Sequence, residues 1–260
     1  MNKYPNPIKL FFIINLLLQC WCTNASAETA APEKLTVGFF DIPPHAYPPT
    51  EKIHGTAMQF FDQVAAQMGV EVEYIYYPLA HVLFMLESNR IDAVLMLAKN
   101  EKRSKEFVYP STPMFTTIPA IAVLSNSELK TIDQVVKADS LTIGVWRGGY
   151  HSPTLDKNKN TIIELTGNNI ASRGLEILAR KKVDALFSPD SYPIIYAANK
   201  NDMGGKITIF PITNEPIEVY SVFSKKSAGI YLQRYNDALA KVKKQNTYEA
   251  LLKQHAIDYP

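Results

Sequence analysis

The stretch Glu87-Ser88-Asn89-Arg90-Ile91-Asp92-Ala93 has a second version at residues 179–185, Ala179-Arg180-Lys181-Lys182-Val183-Asp184-Ala185. Each reads as a helix end, a basic turn, and an apolar-Asp-Ala triplet opening a strand, Ile91–Leu97 in one and Val183–Phe187 in the other. The flanks agree as well. Leu35–Phe40 is a strand candidate that stops at Pro43-Pro44, because proline cannot donate to a ladder. Ala57, Phe60, Phe61, Val64, Ala65 and Met68 recur at helical spacing, and Gly69 reads as the C-terminal cap. Val70–Tyr77 alternates as a strand, and Leu79–Leu86 suits a helix. Ahead of the second copy, Leu141–Val145 reads as a strand and residues 172–181 as a helix. Strand–helix alternation implies parallel pairing with right-handed crossovers. Two units of one plan predict two α/β lobes.

Pro119–Leu124 and Glu218–Phe223 are extended, apolar-rich segments between and after these units. They are the candidates for a pair of hinge strands. The expected division is residues 28–124 with 218–260 as the first lobe and 125–217 as the second. Leu232, Tyr235, Leu239 and Val242 stripe a C-terminal helix, and Thr247 reads as the cap of a last helix through Leu252. Lys241, Lys243, Lys244 and Lys253 form a solvated face.

Residues 1–27 have the pattern of a cleaved secretory signal. Lys3 and Lys9 give a positive start, Leu10–Leu18 is apolar but for Asn15, and Ala25-Ser26-Ala27 supplies small residues for cleavage. Nine residues at ~1.5 Å each cannot cross a ~30 Å hydrocarbon layer, so no membrane insertion of the mature chain is expected. Leu17-Leu18-Gln19-Cys20 leaves a lipidated cysteine open, with Gln19 where a small residue is wanted. Cys20 and Cys22 are the only cysteines, so the mature chain carries no disulfide. Subtracting Lys3 and Lys9 from the 27 basic residues leaves 25 against 25 acids, a net charge of zero. Such a protein offers no electrostatic footprint for nucleic acid.

At this point the sequence resembles the family 3 periplasmic solute-binding proteins of ABC importers. Leu35-Thr36-Val37-Gly38 with Pro43-Pro44, the turn at Leu86–Ala93, Glu101-Lys102-Arg103 with Phe107 and Pro110, Ile132–Val135, Ile143–Val145, Gly148, Val183–Ala185 and Asp190 follow in family order. The resemblance implies a two-lobed α/β fold of the type II, Venus-flytrap kind, closing on a small ligand. It implies a small polar, carboxylate-bearing, amino-acid-like ligand, delivered to an inner-membrane permease from the periplasm by a monomer without cofactor.

By the same resemblance, Arg103 grips the ligand carboxylate, for which a guanidinium offers a planar fork of donors. Asp190 stands where relatives often receive an amino group, with Ser188 competing for that place. The loop Arg147-Gly148-Gly149-Tyr150 brings Arg147, Gly149 and Tyr150 to the ligand, with Ser152 as another hydroxyl. Leu97, Tyr47 and His81 complete the expected wall. One departure stands out: Leu95–Lys99 carries no hydroxyl where relatives donate to the carboxylate. His45, His81 and His151 map to cleft-facing loops. They lack i, i+4 spacing and cysteine support, so they read as loop histidines and no metal is expected.

Two other functions share the scaffold. A dehydratase of prephenate or arogenate would need a positioned acid or base, for which Glu101, Asp190 and His151 are the nominees. A ligand-sensing subunit would hand its state to a membrane receptor. Nucleophile-elbow, phosphate-loop and zinc-helix motifs are absent from the sequence.

Overall fold

The computed structural model describes residues 33–150, 152–156, 160–245 and 247–254. The leader expected over residues 1–27, with Cys20, and His151 lie outside the described residues. Among those described, no helix is long and apolar enough to cross a membrane.

The first unit runs β1 (Lys34–Phe39), α1 (Thr56–Met68), β2 (Glu71–Tyr76), α2 (Leu79–Glu87), β3 (Ala93–Ala98), α3 (Glu101–Glu106) and β4 (Phe115–Thr117). The second runs β5 (Ala120–Leu124), α4 (Ile132–Lys137), β6 (Thr142–Trp146), α5 (Pro153–Asp156), β7 (Thr161–Leu165), α6 (Ile170–Ala179), β8 (Ala185–Ser188), α7 (Ser191–Lys200) and β9 (Ile207–Pro211). The chain then returns through β10 (Ile217–Phe223), α8 (Lys225–Gln245) and α9 (Tyr248–Gln254). Two five-stranded sheets result, ordered β2-β1-β3-β10-β4 and β7-β6-β8-β5-β9. In each, the first three strands are parallel and the fourth is antiparallel to both its neighbours.

The repeated turn explains why the two units fold alike. Asn89 and Lys181, third in each copy, take left-handed φ of 54° and 53°. The next N–H reaches back to close the helix, Arg90 to Met85 O at 2.9 Å and Lys182 to Ile177 O at 3.0 Å. The aspartate then ties the new strand to its neighbour. Asp92 Oδ2 accepts the Thr36 N–H at 2.9 Å, and Asp184 Oδ2 accepts the Thr142 N–H at 2.8 Å. The two conspicuous aspartates of the repeat are therefore strand ties.

The expected hinge needs correction. Pro119–Leu124 and Glu218–Phe223 do not pair with each other: β5 lies in the second sheet and β10 in the first. Residues 120–124 therefore join the second unit and not the first. The reason is burial on both faces. Ile121 and Val123 face one core cluster and Ala122 another, as a central strand requires. The paired crossings are offset from the expected ones. β5 runs antiparallel to β9 and β10 to β4, and between them the Ile212 N–H donates to Pro119 O at 2.8 Å. A ribbon of residues 115–124 against 207–219 thus links the sheets. β4 is short and β9 ends in proline, so neither announces itself in the sequence.

The first core gathers Leu35, Val37, Phe60, Phe61, Leu95 and Tyr235, with α8 and α9 laid over α1. The second is split across its sheet, with Leu175, Leu178 and Ile194 on one face and Val135, Ile143 and Phe187 on the other.

Candidate functional site

The carboxyl ends of β1, β3, β6 and β8 converge between the two sheets. In open α/β sheets that is where ligands sit, because the loops there vary without disturbing the core. Phe40 and Ile42 follow β1, Leu97 and Ala98 close β3, Trp146 ends β6 with Gly149 and Tyr150 after it, and Pro189 and Asp190 follow β8; all line one cavity. Leu79, Met96, Ile217 and Val219 make the rest of its wall largely apolar. Phe40 and Trp146 meet edge to face across the two units, ring centroids 5.2 Å apart.

Arg103 lines this cavity and is only 5 % exposed. Asn100 caps α3 by accepting the Arg103 N–H at 2.8 Å, which fixes the backbone under the guanidinium. Nη1 donates to Ala98 O of its own unit at 2.8 Å, and Nη2 donates to Gly148 O of the other unit at 2.6 Å. A guanidinium carries five N–H donors, so these two bonds leave capacity for a guest. Burial lowers its pKa, against the opposing pull of Tyr109 and Glu106. The two glycines beyond β6 each have a physical reason. Gly148 takes φ of 71°, and a Cβ at Gly149 would meet Trp146 O at 2.8 Å. That turn is what aims Gly148 O at Arg103.

Asp190 also lines the cavity, but its carboxylate is engaged inside the protein. Oδ1 accepts from Thr117 Oγ1 at 2.7 Å and from the Tyr192 N–H at 3.0 Å, capping α7. Oδ2 lies 2.7 Å from His45 Nε2, close enough for an ion pair although not aligned as a hydrogen bond. His45 is fully buried, stacks with Phe115 and Tyr248, and places Nδ1 2.6 Å from Tyr248 Oη. Burial holds the Tyr248 hydroxyl well above its ordinary pKa. His45 comes from the double-proline loop of the first unit and Asp190 from the second, so this buried chain bridges the two. Ser188, the competitor for the amino-group role, donates to Asp190 O at 2.6 Å and lines an adjoining chamber instead.

That chamber shares Ile42, Trp146 and Pro189 with the first cavity and adds Asp41 and Asn169. An outer one opens past Asp41, Glu51, Tyr76, Tyr196 and Lys200. Asp41 Oδ2 accepts the Asn169 N–H at 3.0 Å, so a carboxylate of one unit caps the N-terminus of α6 in the other. Burial raises the Asp41 pKa, and the nearby Glu51 adds to the rise. Lys200 meets Glu51 at 3.2 Å across the rim.

Three expected residues stand elsewhere. Arg147 is exposed and pairs with Glu164 of β7 at 3.4 Å, because alternation along β6 sends Trp146 inward and Arg147 outward. His81 is exposed and tilted against Tyr77, ring centroids 4.4 Å apart; of its helix it is Leu79 that reaches the cavity. Tyr47 is buried beside Tyr196, ring centroids 5.9 Å apart, and lines a neighbouring groove of the first unit rather than the cavity. Arg103, Asp190, Tyr150, Gly149 and Leu97 are brought together. Sequence reasoning passed over Asp41, Phe40, Thr117 and Trp146. Asp41 had a signal, an acid between a strand end and two prolines. Among the described residues, no three His, Cys, Asp or Glu side chains converge as a metal site.

Two sheets of one plan, tied by paired crossings and enclosing a cavity at their carboxyl ends, define the class: a two-lobed binding protein. More particularly, the chain belongs to the bacterial extracellular solute-binding proteins, family 3, whose model matches residues 35–257. It is 22 % identical over 213 residues to the L-cystine-binding protein TcyA of Bacillus subtilis (strain 168), covering 79 % of this chain and 73 % of that one. It is 25 % identical over 194 residues to the amino-acid-binding protein AabA of Dichelobacter nodosus, covering 73 % of each. Among solved structures, an ancestral arginine-binding protein bound to arginine superimposes with a TM-score of 0.70 at 22 % identity, over 85 % of this chain and 97 % of that one.

Proposed function

We propose that the protein captures an amino-acid-like ligand in the periplasm and presents its closed form to the permease of an ABC importer. The observation that carries this reading is Arg103. A nearly buried guanidinium lines a mostly apolar cavity between the lobes and reaches across it to Gly148 O. A ligand carboxylate entering there meets a planar donor fork, and its binding energy favours the closed arrangement over the open one. Lobe closure needs no chemistry. Of the groups nominated as general acid or base, Glu101 is exposed and paired with Lys105 at 2.7 Å, and Asp190 is held by His45, Thr117 and Tyr192. The periplasmic setting rests on the leader pattern of residues 1–27, and the names of the relatives support the ligand class.

The test is a thermal-shift screen against the twenty L-amino acids, followed by recovery of the hit. A ligand at ~100 times its Kd raises stability by roughly 2.7 kcal/mol and returns unchanged. Arg103→Ala is expected to weaken binding at least tenfold, about 1.4 kcal/mol. A hit converted to product makes the protein an enzyme, and an unaltered Kd in the variant removes Arg103 from the site.

A further inference from the structure

Among the residues lining the inner cavity, Arg103 is the one base and Asp190 the one acid. The rest of the wall is mostly apolar, with Phe40, Leu97, Trp146, Ile217 and Val219 in it. Arg103 has donors to spare, because a guanidinium offers five N–H groups and its bonds to Ala98 O and Gly148 O use two. Asp190 has no such surplus. Oδ1 accepts from the Thr117 hydroxyl and the Tyr192 N–H, and Oδ2 is buried against His45 Nε2 at 2.7 Å. A bare nitrogen lone pair facing a carboxylate oxygen at that distance would be repulsive, so Nε2 carries a proton, and Nδ1 is left to the Tyr248 hydroxyl at 2.6 Å. His45 is fully buried and stacked with Phe115 and Tyr248, which hold its ring in place.

That arrangement bears on what the cavity accepts. The ammonium of an α-amino acid sits one carbon from its carboxylate, so with the carboxylate on Arg103 it falls inside this cavity. A buried cation without an acceptor is costly, and here it also faces the like charge of Arg103. Asp190 is taken from behind. Ala98 O, the carbonyl beside Arg103, already accepts from Arg103 Nη1 and from Tyr109 Oη. Asp41 borders the adjoining chamber and not this one. We infer that His45 determines specificity by occupying the Asp190 carboxylate, so that the ligand class is an apolar carboxylate without an α-ammonium. The 2-oxo acids that share their skeletons with leucine, valine and phenylalanine are of this kind. Their oxo oxygen lies beside the carboxylate, accepts from the same guanidinium and requires no acceptor from the wall. The inference deepens the amino-acid-like reading of the cleft by naming the substrate class, and it rests on that reading.

The experiment is calorimetric titration of the purified protein and of His45→Phe with 4-methyl-2-oxopentanoate, 3-methyl-2-oxobutanoate and phenylpyruvate, each against its amino counterpart, L-leucine, L-valine or L-phenylalanine. The substituted ring still packs against Phe115 and Tyr248 but has no N–H for Asp190. The expected result is at least about tenfold tighter binding of one 2-oxo acid than of its amino acid, with that preference falling toward parity in the variant. The ratio is the readout, because a loosened fold weakens both ligands alike. An amino acid bound as tightly as its 2-oxo counterpart, or an unchanged ratio in the folded variant, overturns the inference. Should the variant not fold, the wild-type ratio alone decides. Binding of any of the twenty amino acids, with no 2-oxo acid bound, overturns this inference and leaves the proposed function standing. Binding of none of the twenty amino acids and none of these 2-oxo acids defeats that function first, and this inference with it.

Discussion

At the scale of single residues, the two aspartates of the cleft differ in what faces them. Asp190 has two donors on Oδ1, and His45 is the side chain opposite Oδ2. Removing one partner of a buried pair leaves the other uncompensated, which typically costs about 3–5 kcal/mol. His45→Ala is expected to lose that much in urea unfolding; a loss below ~1 kcal/mol would mean the pair contributes only packing. Asp41 gives the opposite sign. Its pKa is raised in the folded protein, so its contribution to stability is present at low pH and is lost as pH rises through the folded value. Asp41→Asn should therefore stabilise the ligand-free protein at neutral pH, on the order of 1 kcal/mol or ~2–4 °C in Tm. The gain should shrink as pH falls through the carboxylate range. A variant less stable than wild type at neutral pH would contradict this.

At the scale of elements, the repeated helix-to-strand turn is the most legible feature of the chain. Its aspartates tie each new strand to a neighbour, its apolar residues pack in the cores, and its basic turns close the helices through backbone N–H groups. One copy carries a visible cost. Lys181 occupies a left-handed conformation that Asn89 tolerates better and glycine adopts freely. Lys181 is exposed, so Lys181→Gly should stabilise the protein by up to ~1 kcal/mol, read as a higher urea midpoint at unchanged slope. A lower midpoint would show that unfolded-chain entropy outweighs the strain. The joining strands were less legible for a physical reason. An apolar extended segment says that both its faces are buried, not which sheet buries them. β5 and β10 both read as strands, but each pairs within its own sheet and not with the other.

At the scale of the whole molecule, the lobes meet through Arg103 on Gly148 O, Asp41 on the Asn169 N–H, His45 on Asp190 and Phe40 on Trp146. Trp21 and Trp146 are the two tryptophans of the chain, and cleavage of the leader expected over residues 1–27 would leave Trp146 alone. Opening would take its ring away from Phe40 and into water, so its fluorescence reports closure. Saturating ligand should shift the emission of the mature protein to shorter wavelength, and Phe40→Ala should reduce the shift. Emission unchanged by a ligand that calorimetry shows to bind would mean the lobes do not move around Trp146.

The sequence by itself determined two α/β units, their repeated turn and the candidacy of Arg103, because periodicity, punctuation and motif order are local properties. Tertiary structure alone decided which acid was spent and which was left facing the cleft. Asp190 and Asp41 are both loop aspartates beside a strand end. Only the fold brings His45 behind the first and leaves Oδ1 of the second without a donor. The same holds for Arg147 and His81, whose charge and ring suited a site from which strand alternation and helix phase turned them away.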